Sequence, residues 1–464
     1  MLPKQEVFLS QENFVHPRTY AATKVIPGTP SKQTSSKQCS VAFHTLGCRL
    51  NQYETDSIAS ELKQRGFAIV ESNKKADVHI VNTCTVTKKA ARKSRNIMNR
   101  AKALSDRLTV FTGCFATEEK EKLKDTDKSL VVDNDRKSRI ADIVSSYVSG
   151  EMIDPNALKP ELFDYTSQSS PFHTRPLIKI QDGCDNFCTF CIIPSVRGRA
   201  KSRPPQEILD HIRAAVDQGA REIILTGVNI TRYQYDAWDF NALFESILET
   251  EGEFRVRLSS IEPEIDVTRM QEFAKHKKFC PHLHLCLQSG SNRMLLQMRR
   301  EYTVKDYVHI AESMRKVDPL FNITTDVIVG FPGETEKDFN ETIRITKLLE
   351  FGHIHVFPYS SRSGTRAERL QPHISPSIKQ TRSKELMNIS LELTRMVRSR
   401  FLERETNVLT EELKPQKTES YTYGLNEYYI PTLIRGAHET NAIIPVASKR
   451  LFPSGELDAR AISR

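Results

Sequence analysis

Three short apolar runs, Val41–Leu46, Val78–Val81 and Leu108–Phe111, have the length and β-branched content of buried strands, and helix-patterned stretches separate them. A βαβ alternation of this kind predicts an open parallel sheet, in which ligand-binding loops gather at the carboxyl ends of the strands. Each run is followed within a few residues by a cysteine, Cys48, Cys84 and Cys114, beside the turn-forming residues Gly47, Asn82 and Gly113. Parallel pairing would bring the three thiols to one sheet edge, although they lie far apart in sequence. A single cysteine in such a place reads as core packing; three in equivalent places do not.

Further along, six β-type runs alternate with helical segments: Leu177–Gln181, Ile223–Thr226, Phe254–Leu258, Leu283–Leu287, Ile323–Val329 and His353–Phe357. Six β/α units predict a partial (β/α)6 barrel, with its site built from the loops after the strands. A helical stretch around Pro376–Glu405 closes this unit, and short β-like runs over 406–464 predict a small β-barrel or sandwich. The fold class is therefore α/β, with an open-sheet domain at 39–150, a partial barrel at 170–398 and a small β domain at 399–464. Residues 1–38 are rich in Ser, Thr, Gln, Pro and Lys and are expected to form a flexible extension. Residues 150–175 carry Pro155, Pro160 and Pro171 and are expected to be a linker.

Charge and cysteine content narrow the chemistry. The chain has 67 Lys+Arg against 58 Asp+Glu, a net charge of +9, which suits a polyanionic partner without specifying one. No run of 18 apolar residues and no secretory pattern occurs, so a cytoplasmic protein without a membrane span is expected. Nine cysteines in a reducing compartment point to metal or redox chemistry rather than disulfides.

The sharpest feature is Cys184-Asp-Asn-Phe-Cys188-Thr-Phe-Cys191. Three thiolates from one loop favour zinc or iron–sulfur ligation. Structural zinc takes four closed ligands, whereas a triplet with no local fourth partner suits a [4Fe–4S] cube with one iron left open. With Phe190 directly before the last cysteine, this triplet resembles the radical S-adenosylmethionine (SAM) motif. The resemblance implies that the open iron chelates SAM and that reductive cleavage yields a 5′-deoxyadenosyl radical. It also implies cofactor-binding roles for Phe190, Gln288, Gly330, Phe331, Pro332 and Gly333, the last four within the GFPGE sequence.

From about Val41 onward the chain resembles the radical SAM methylthiotransferases, including Cys191-Ile-Ile-Pro-Ser-Val-Arg-Gly-Arg. Membership would make Cys48, Cys84 and Cys114 the ligands of a second [4Fe–4S] cluster at which sulfur joins the substrate carbon, with the methyl group taken from another SAM. A sulfur source and an electron donor are implied as partners. The sequence Gly47-Cys48-Arg-Leu-Asn-Gln-Tyr-Glu54 resembles the branch that acts on N6-threonylcarbamoyladenosine at position 37 of tRNA. Sister branches act on isopentenyladenosine in tRNA or on an aspartate of a ribosomal protein. A zinc-stabilised RNA-binding protein without catalysis is a more distant alternative.

A tRNA partner would find positive charge on Lys88–Lys102, which carries seven basic residues and no acidic one, with Lys88, Lys89, Arg92, Lys93 and Arg95 as candidate RNA contacts. The last segment loosely resembles the TRAM domain, although 401–464 holds eight Lys/Arg against nine Asp/Glu. Tyr421, Tyr423, Tyr428 and Tyr429 are candidates there for stacking on bases. Arg199 or Arg203 could pair with the SAM carboxylate or with an internal acid. Asp326 and Glu262 stand at strand ends as possible SAM or substrate contacts.

Overall fold

The computed structural model describes residues 38–123, 126–165, 173–415 and 420–462. The expected extension over 1–38 lies almost wholly outside them.

The first domain is built on five parallel strands: β1 (Ser40–Thr45), β2 (Ala68–Val70), β3 (Ala76–Thr83), β4 (Ser105–Gly113) and β5 (Ser129–Val132). Their order is β2-β1-β3-β4-β5. This is a doubly wound order whose direction reverses between β1 and β3, and ligands bind outside the strand ends at such a switch point. The central strands β1 and β3 are buried on both faces over most of their length, which is why they read as continuous apolar runs rather than alternating ones. Helix α1 (Arg49–Gln64) leaves β1 with Cys48 as its N-cap residue. Helix α2 (Lys88–Leu104) follows β3, and the short α3 (Cys114–Glu118) begins directly after β4.

The six barrel runs form strands close to the expected places: Leu177–Lys179, Glu222–Thr226, Arg255–Leu258, His282–Leu285, Asn322–Val329 and His353–Pro358. The first three pair in parallel, as do the last three. The third strand continues through Ser260–Ile261, which pairs with the fourth and carries the sheet round the curve. The main apolar core packs helices against the outer face of these strands, around Leu225, Val256, Leu285, Ile323 and Val327. Helix Pro376–Ser399 then leads into a closed five-stranded barrel, so the barrel form is the one adopted by the last segment.

The expected linker is tied down where it is described. Tyr165 is buried, the Leu162 carbonyl accepts from Lys179 Nζ at 3.0 Å, and the Phe163 carbonyl accepts from Arg203. No helix among the described residues is long and apolar enough to cross a membrane.

Candidate active site

The first cysteine trio meets at the switch point. Register pairs Thr45 with Asn82 and Thr83 with Gly113, so β1, β3 and β4 end level with one another and deliver Cys48, Cys84 and Cys114 to one edge. The approach is close enough to require glycine. A Cβ on Gly47 would lie 2.9 Å from Cys84 Sγ, and one on Gly113 2.3 Å from the Thr83 carbonyl oxygen; both residues have positive φ. Ser94, buried on α2, accepts from the Cys84 N–H at 3.0 Å and donates to its carbonyl at 2.8 Å. The basic helix is thereby anchored directly beneath a trio cysteine.

The second trio sits on the loop after the first barrel strand. Phe187 takes a left-handed conformation (φ 47°) that curls the loop between Cys184 and Cys188. Thr189 ties it to the barrel, its N–H donating to the Met298 carbonyl at 3.1 Å and its hydroxyl to the Gln297 carbonyl at 2.9 Å. Two N–H groups point at sulfur: Arg300 Nη1 lies 3.1 Å from Cys188 Sγ, and the Asn186 N–H 3.5 Å from Cys184 Sγ. Arg300 also pairs with Glu262. Arg300 lies outside every motif, so nothing in the sequence marks it.

The two trios are neighbours. Cys114 packs against Ile192 and Val196, on the segment that follows Cys191. Asn134 Nδ2 donates to the Val196 carbonyl at 2.8 Å on the same side. Between the domains lies a fully buried set of charges. Arg197 contacts Glu54 at 3.0 Å and Asp182 at 2.9 Å, Lys137 meets Glu54 at 2.5 Å, and Lys179 meets Asp182 at 2.7 Å. Burial alone would raise the Glu54 carboxyl, but Arg197, Lys137 and Lys179 hold it well below its ordinary value. Arg197 also donates to Asn51, and Arg203 to the Tyr53 hydroxyl, so Asn51, Tyr53 and Glu54 of the Cys48 flank are all domain-locking residues. Arg203 further meets Glu207, and Arg199 pairs with Asp185, which assigns internal acids to both arginines.

These surroundings suit iron–sulfur ligation better than zinc. Burial pushes the Cys84 and Cys191 thiols up to about 12 and raises that of Cys114, so each needs a cation to hold it as thiolate. Arg197 and Lys137 oppose burial at Cys114 and supply part of that charge. The buried set holds three cations, Arg197, Lys137 and Lys179, against two carboxylates, Glu54 and Asp182, and so carries a net positive charge beside the Cys114 thiol. Four sulfurs about 2.3 Å from one zinc would crowd together. Among the described residues, only His284, Asp326 and His355 bring three potential ligand atoms within 4.8 Å; neither cysteine trio is gathered that tightly.

The expected cofactor contacts are partly brought together. Phe190 packs on a cluster containing Met298, Phe331 and Tyr359, an apolar wall beside the triplet loop. Gly330 and Gly333 adopt positive φ, and the Gly330 N–H donates to Glu334, which is clamped by Arg382 at 2.6 Å. Glu334 therefore fixes the shape of the turn around buried Pro332. Gln288 is left-handed (φ 60°) and is stitched to Asp326 and Ile328 by backbone bonds. The lumen carries His284, Asp326 and His355, with His284 Nε2 3.1 Å from Asp326 Oδ1. Asp326 keeps 25% side-chain exposure in mid-strand, which marks an accessible interior. The alternating His-x-His sequences of the fourth and sixth strands were its signal in the sequence.

Of the candidate RNA contacts, Lys88, Lys89, Arg92, Lys93 and Arg95 are all exposed on α2, and among the described residues none pairs with a carboxylate. Arg95 rests over the Phe115 ring. Three of the four candidate stacking tyrosines turn inward instead, and the half-buried Tyr423 carries Lys414 over its ring. Tyr421 is buried, Tyr428 donates to Asp318 at 2.8 Å, and Tyr429 enters the barrel, its ring stacked on His282 at 4.8 Å.

A parallel partial barrel carrying a three-cysteine loop is the architecture of a radical SAM enzyme. Residues 178–345 match the radical SAM superfamily and residues 40–133 the Uncharacterized protein family UPF0004. The chain is 36% identical to the threonylcarbamoyladenosine tRNA methylthiotransferase MtaB of Bacillus subtilis, covering 86% of this chain and 91% of that one. It is 33% identical to the Thermotoga maritima MtaB, over 91% and 97% of the two chains. A tRNA-2-methylthio-N(6)-dimethylallyladenosine synthase of Syntrophus aciditrophicus is 33% identical over 73% and 76%. Among solved structures, the radical SAM methyltransferase TsrM of Kitasatospora setae shares the fold at a TM-score of 0.51 and 13% identity, over 68% of this chain and 74% of that one. The chain belongs to the radical SAM tRNA methylthiotransferase family, whose members use SAM and [4Fe–4S] clusters.

Proposed function

We propose that the enzyme methylthiolates C2 of N6-threonylcarbamoyladenosine at position 37 of tRNA in the cytoplasm. In this reading Cys184, Cys188 and Cys191 hold the SAM-binding cluster, and Cys48, Cys84 and Cys114 hold the second. The observation that carries it is the juxtaposition of the two trios across the Cys114–Ile192–Val196 contact, which suits a substrate carbon activated at one centre and sulfurated at the other. When bound, the cofactors supply reductive SAM cleavage, abstraction of the C2 hydrogen, sulfur and a methyl group.

The protein's own residues position and insulate these events. Arg300 and the Asn186 N–H stabilise negative charge on the Cys188 and Cys184 sulfurs. The wall of Phe190 and Phe331 suits the role of excluding water beside the SAM site. The basic face of α2 would hold tRNA phosphates over Cys84, to which Ser94 anchors it. The functional units would be 39–150, 170–398 and 399–464, and the enzyme would draw on an electron donor and a sulfur source. The threonylcarbamoyl assignment follows the Cys48-Arg-Leu-Asn-Gln-Tyr-Glu54 flank and the names of the relatives.

Mass spectrometry of tRNA nucleosides from a strain lacking the gene tests the reading. Loss of 2-methylthio-N6-threonylcarbamoyladenosine is expected. If that nucleoside persists while the methylthiolated isopentenyladenosine disappears, the substrate assignment fails.

A further inference from the structure

Three arginines approach the Tyr429 ring, Arg49, Arg175 and Arg257, and they are unequal in their bonding. Arg175 and Arg257 are both committed to Glu222, and Arg175 also to Glu411. Arg49, the residue after Cys48, is partly exposed and directs Nη2 to the Tyr429 hydroxyl oxygen at 2.8 Å. Among the described residues no carboxylate pairs with Arg49. Because Tyr429 accepts from Arg49, its hydroxyl hydrogen is free to donate, and among the described residues it meets no acceptor. Tyr429 is also held in a left-handed conformation (φ 65°), a strained placement for a bulky residue that the surrounding stack of His282 and Arg257 enforces. The result is a guanidinium and a phenol, both with donors to spare, beside the exposed Cys48.

Such a pair calls for an anion, and a carboxylate matches both donors. The threonylcarbamoyl arm supplies one. It is attached at N6, across N1 from C2, so its carboxylate falls within a short reach of the carbon that must face the Cys48, Cys84 and Cys114 trio. An isopentenyl arm offers no acceptor and would leave both donors desolvated and unmatched, which is the more selective direction of discrimination. We propose that Arg49 and Tyr429 form the specificity clamp that binds the carboxylate of the threonylcarbamoyl group. The inference rests on the substrate reading above and adds the residues that would enforce it.

The test uses anaerobically reconstituted full-length enzyme and anticodon stem-loop RNAs that differ only at the modified adenosine. One carries N6-threonylcarbamoyladenosine, a second its carboxamide and a third N6-isopentenyladenosine, so the phosphate contacts are identical. Fluorescence anisotropy should show the wild type binding the acid at least about tenfold more tightly than the amide, as expected for a charge-assisted bond. Arg49→Gln should bind the acid and the amide alike, Arg49→Lys should keep part of the preference, and Tyr429→Phe, which retains the ring, should lose a few-fold. The clamp is overturned if Arg49→Gln with wild-type iron content keeps the full preference for the acid. It is equally overturned if the wild type has no preference. An enzyme that prefers isopentenyladenosine RNA would instead overturn the substrate reading, and the clamp with it.

Discussion

Replacing Glu54 with Gln removes one negative charge from the centre of the domain interface while leaving its volume nearly unchanged. Glu54 is fully buried and shared by three cations, Lys137 at 2.5 Å, Arg197 at 3.0 Å and Lys179 at 3.2 Å. Asp182 is the other carboxylate of this set, and it already serves Arg197 and Lys179. Lys137 would keep no carboxylate, only neutral acceptors such as the Asn82 side-chain oxygen at 3.2 Å. Breaking a buried pair from one side costs about 3–5 kcal/mol, because the remaining charge stays desolvated. For an unfolding unit of about 250 residues that lowers the melting temperature by roughly 6–10 °C.

The Glu54 carboxyl lies below its ordinary value in the folded state, so the contribution is complete at pH 7 and would fade as pH falls through the acid range. The assay is anaerobic thermal unfolding of the iron-loaded protein at pH 7, with Lys137→Met and the Glu54→Gln, Lys137→Met double variant alongside. The double variant restores the charge balance, so its loss should be smaller than the sum of the two single losses by at least about 1 kcal/mol. Strictly additive losses, or a Glu54→Gln drop under about 2 °C, would refute the charge-balance argument.

Three further outcomes follow from the site. Gly47→Ala places a methyl group against Cys84 Sγ at a backbone conformation that suits glycine, so metal analysis should find roughly half the wild-type iron; full iron occupancy would contradict the packing. Replacing Lys88, Lys89, Arg92 and Lys93 with Ser should flatten the dependence of log K on log salt for tRNA binding by roughly 3, since each lost phosphate contact removes about 0.7–0.9. An unchanged slope would move the RNA interface elsewhere. Burial, with His79 and Arg100 adding to it, lowers the His44 pKa from 6.5 to about 3, so the unfolded chain binds this proton first and stability falls as pH drops below 6.5. Between pH 7.5 and 5.5 that one group removes about 1.4 kcal/mol, and His44→Gln should shrink the acid-induced loss of melting temperature by the matching amount.

The architecture was legible because burial on both faces writes parallel strands as unbroken apolar runs. Val41–Leu46, Val78–Val81 and Leu108–Phe111 each fall within or beside an observed strand, and the six barrel runs differ from the observed strands by a few residues at their ends. The position of the first trio was legible for a related reason. Equal strand ends in a parallel sheet convert three distant cysteines into neighbours, and only the register, Thr45 with Asn82 and Thr83 with Gly113, had to be supplied. Arg300 was not legible, nor was the place that Tyr429 takes against His282 and Arg49. Each reaches its place from another element through a long side chain or a tight turn, and neither path leaves a periodic trace in sequence.

The Cys48 flank shows how one stretch can carry two kinds of constraint. Asn51, Tyr53 and Glu54 lie on the first turns of α1 and face the barrel, where they meet Arg197 and Arg203. Their pattern reflects docking of the two cysteine-bearing domains and has no need of the substrate arm. Arg49, on the same turn, points the other way, toward the lumen and Tyr429. A substitution at Glu54 should therefore disturb stability whichever nucleoside is bound, whereas one at Arg49 should disturb the choice between nucleosides. The resemblance that suggested the substrate from the whole flank thus divides physically into a lock shared by any such two-domain arrangement and a single guanidinium able to read an anion.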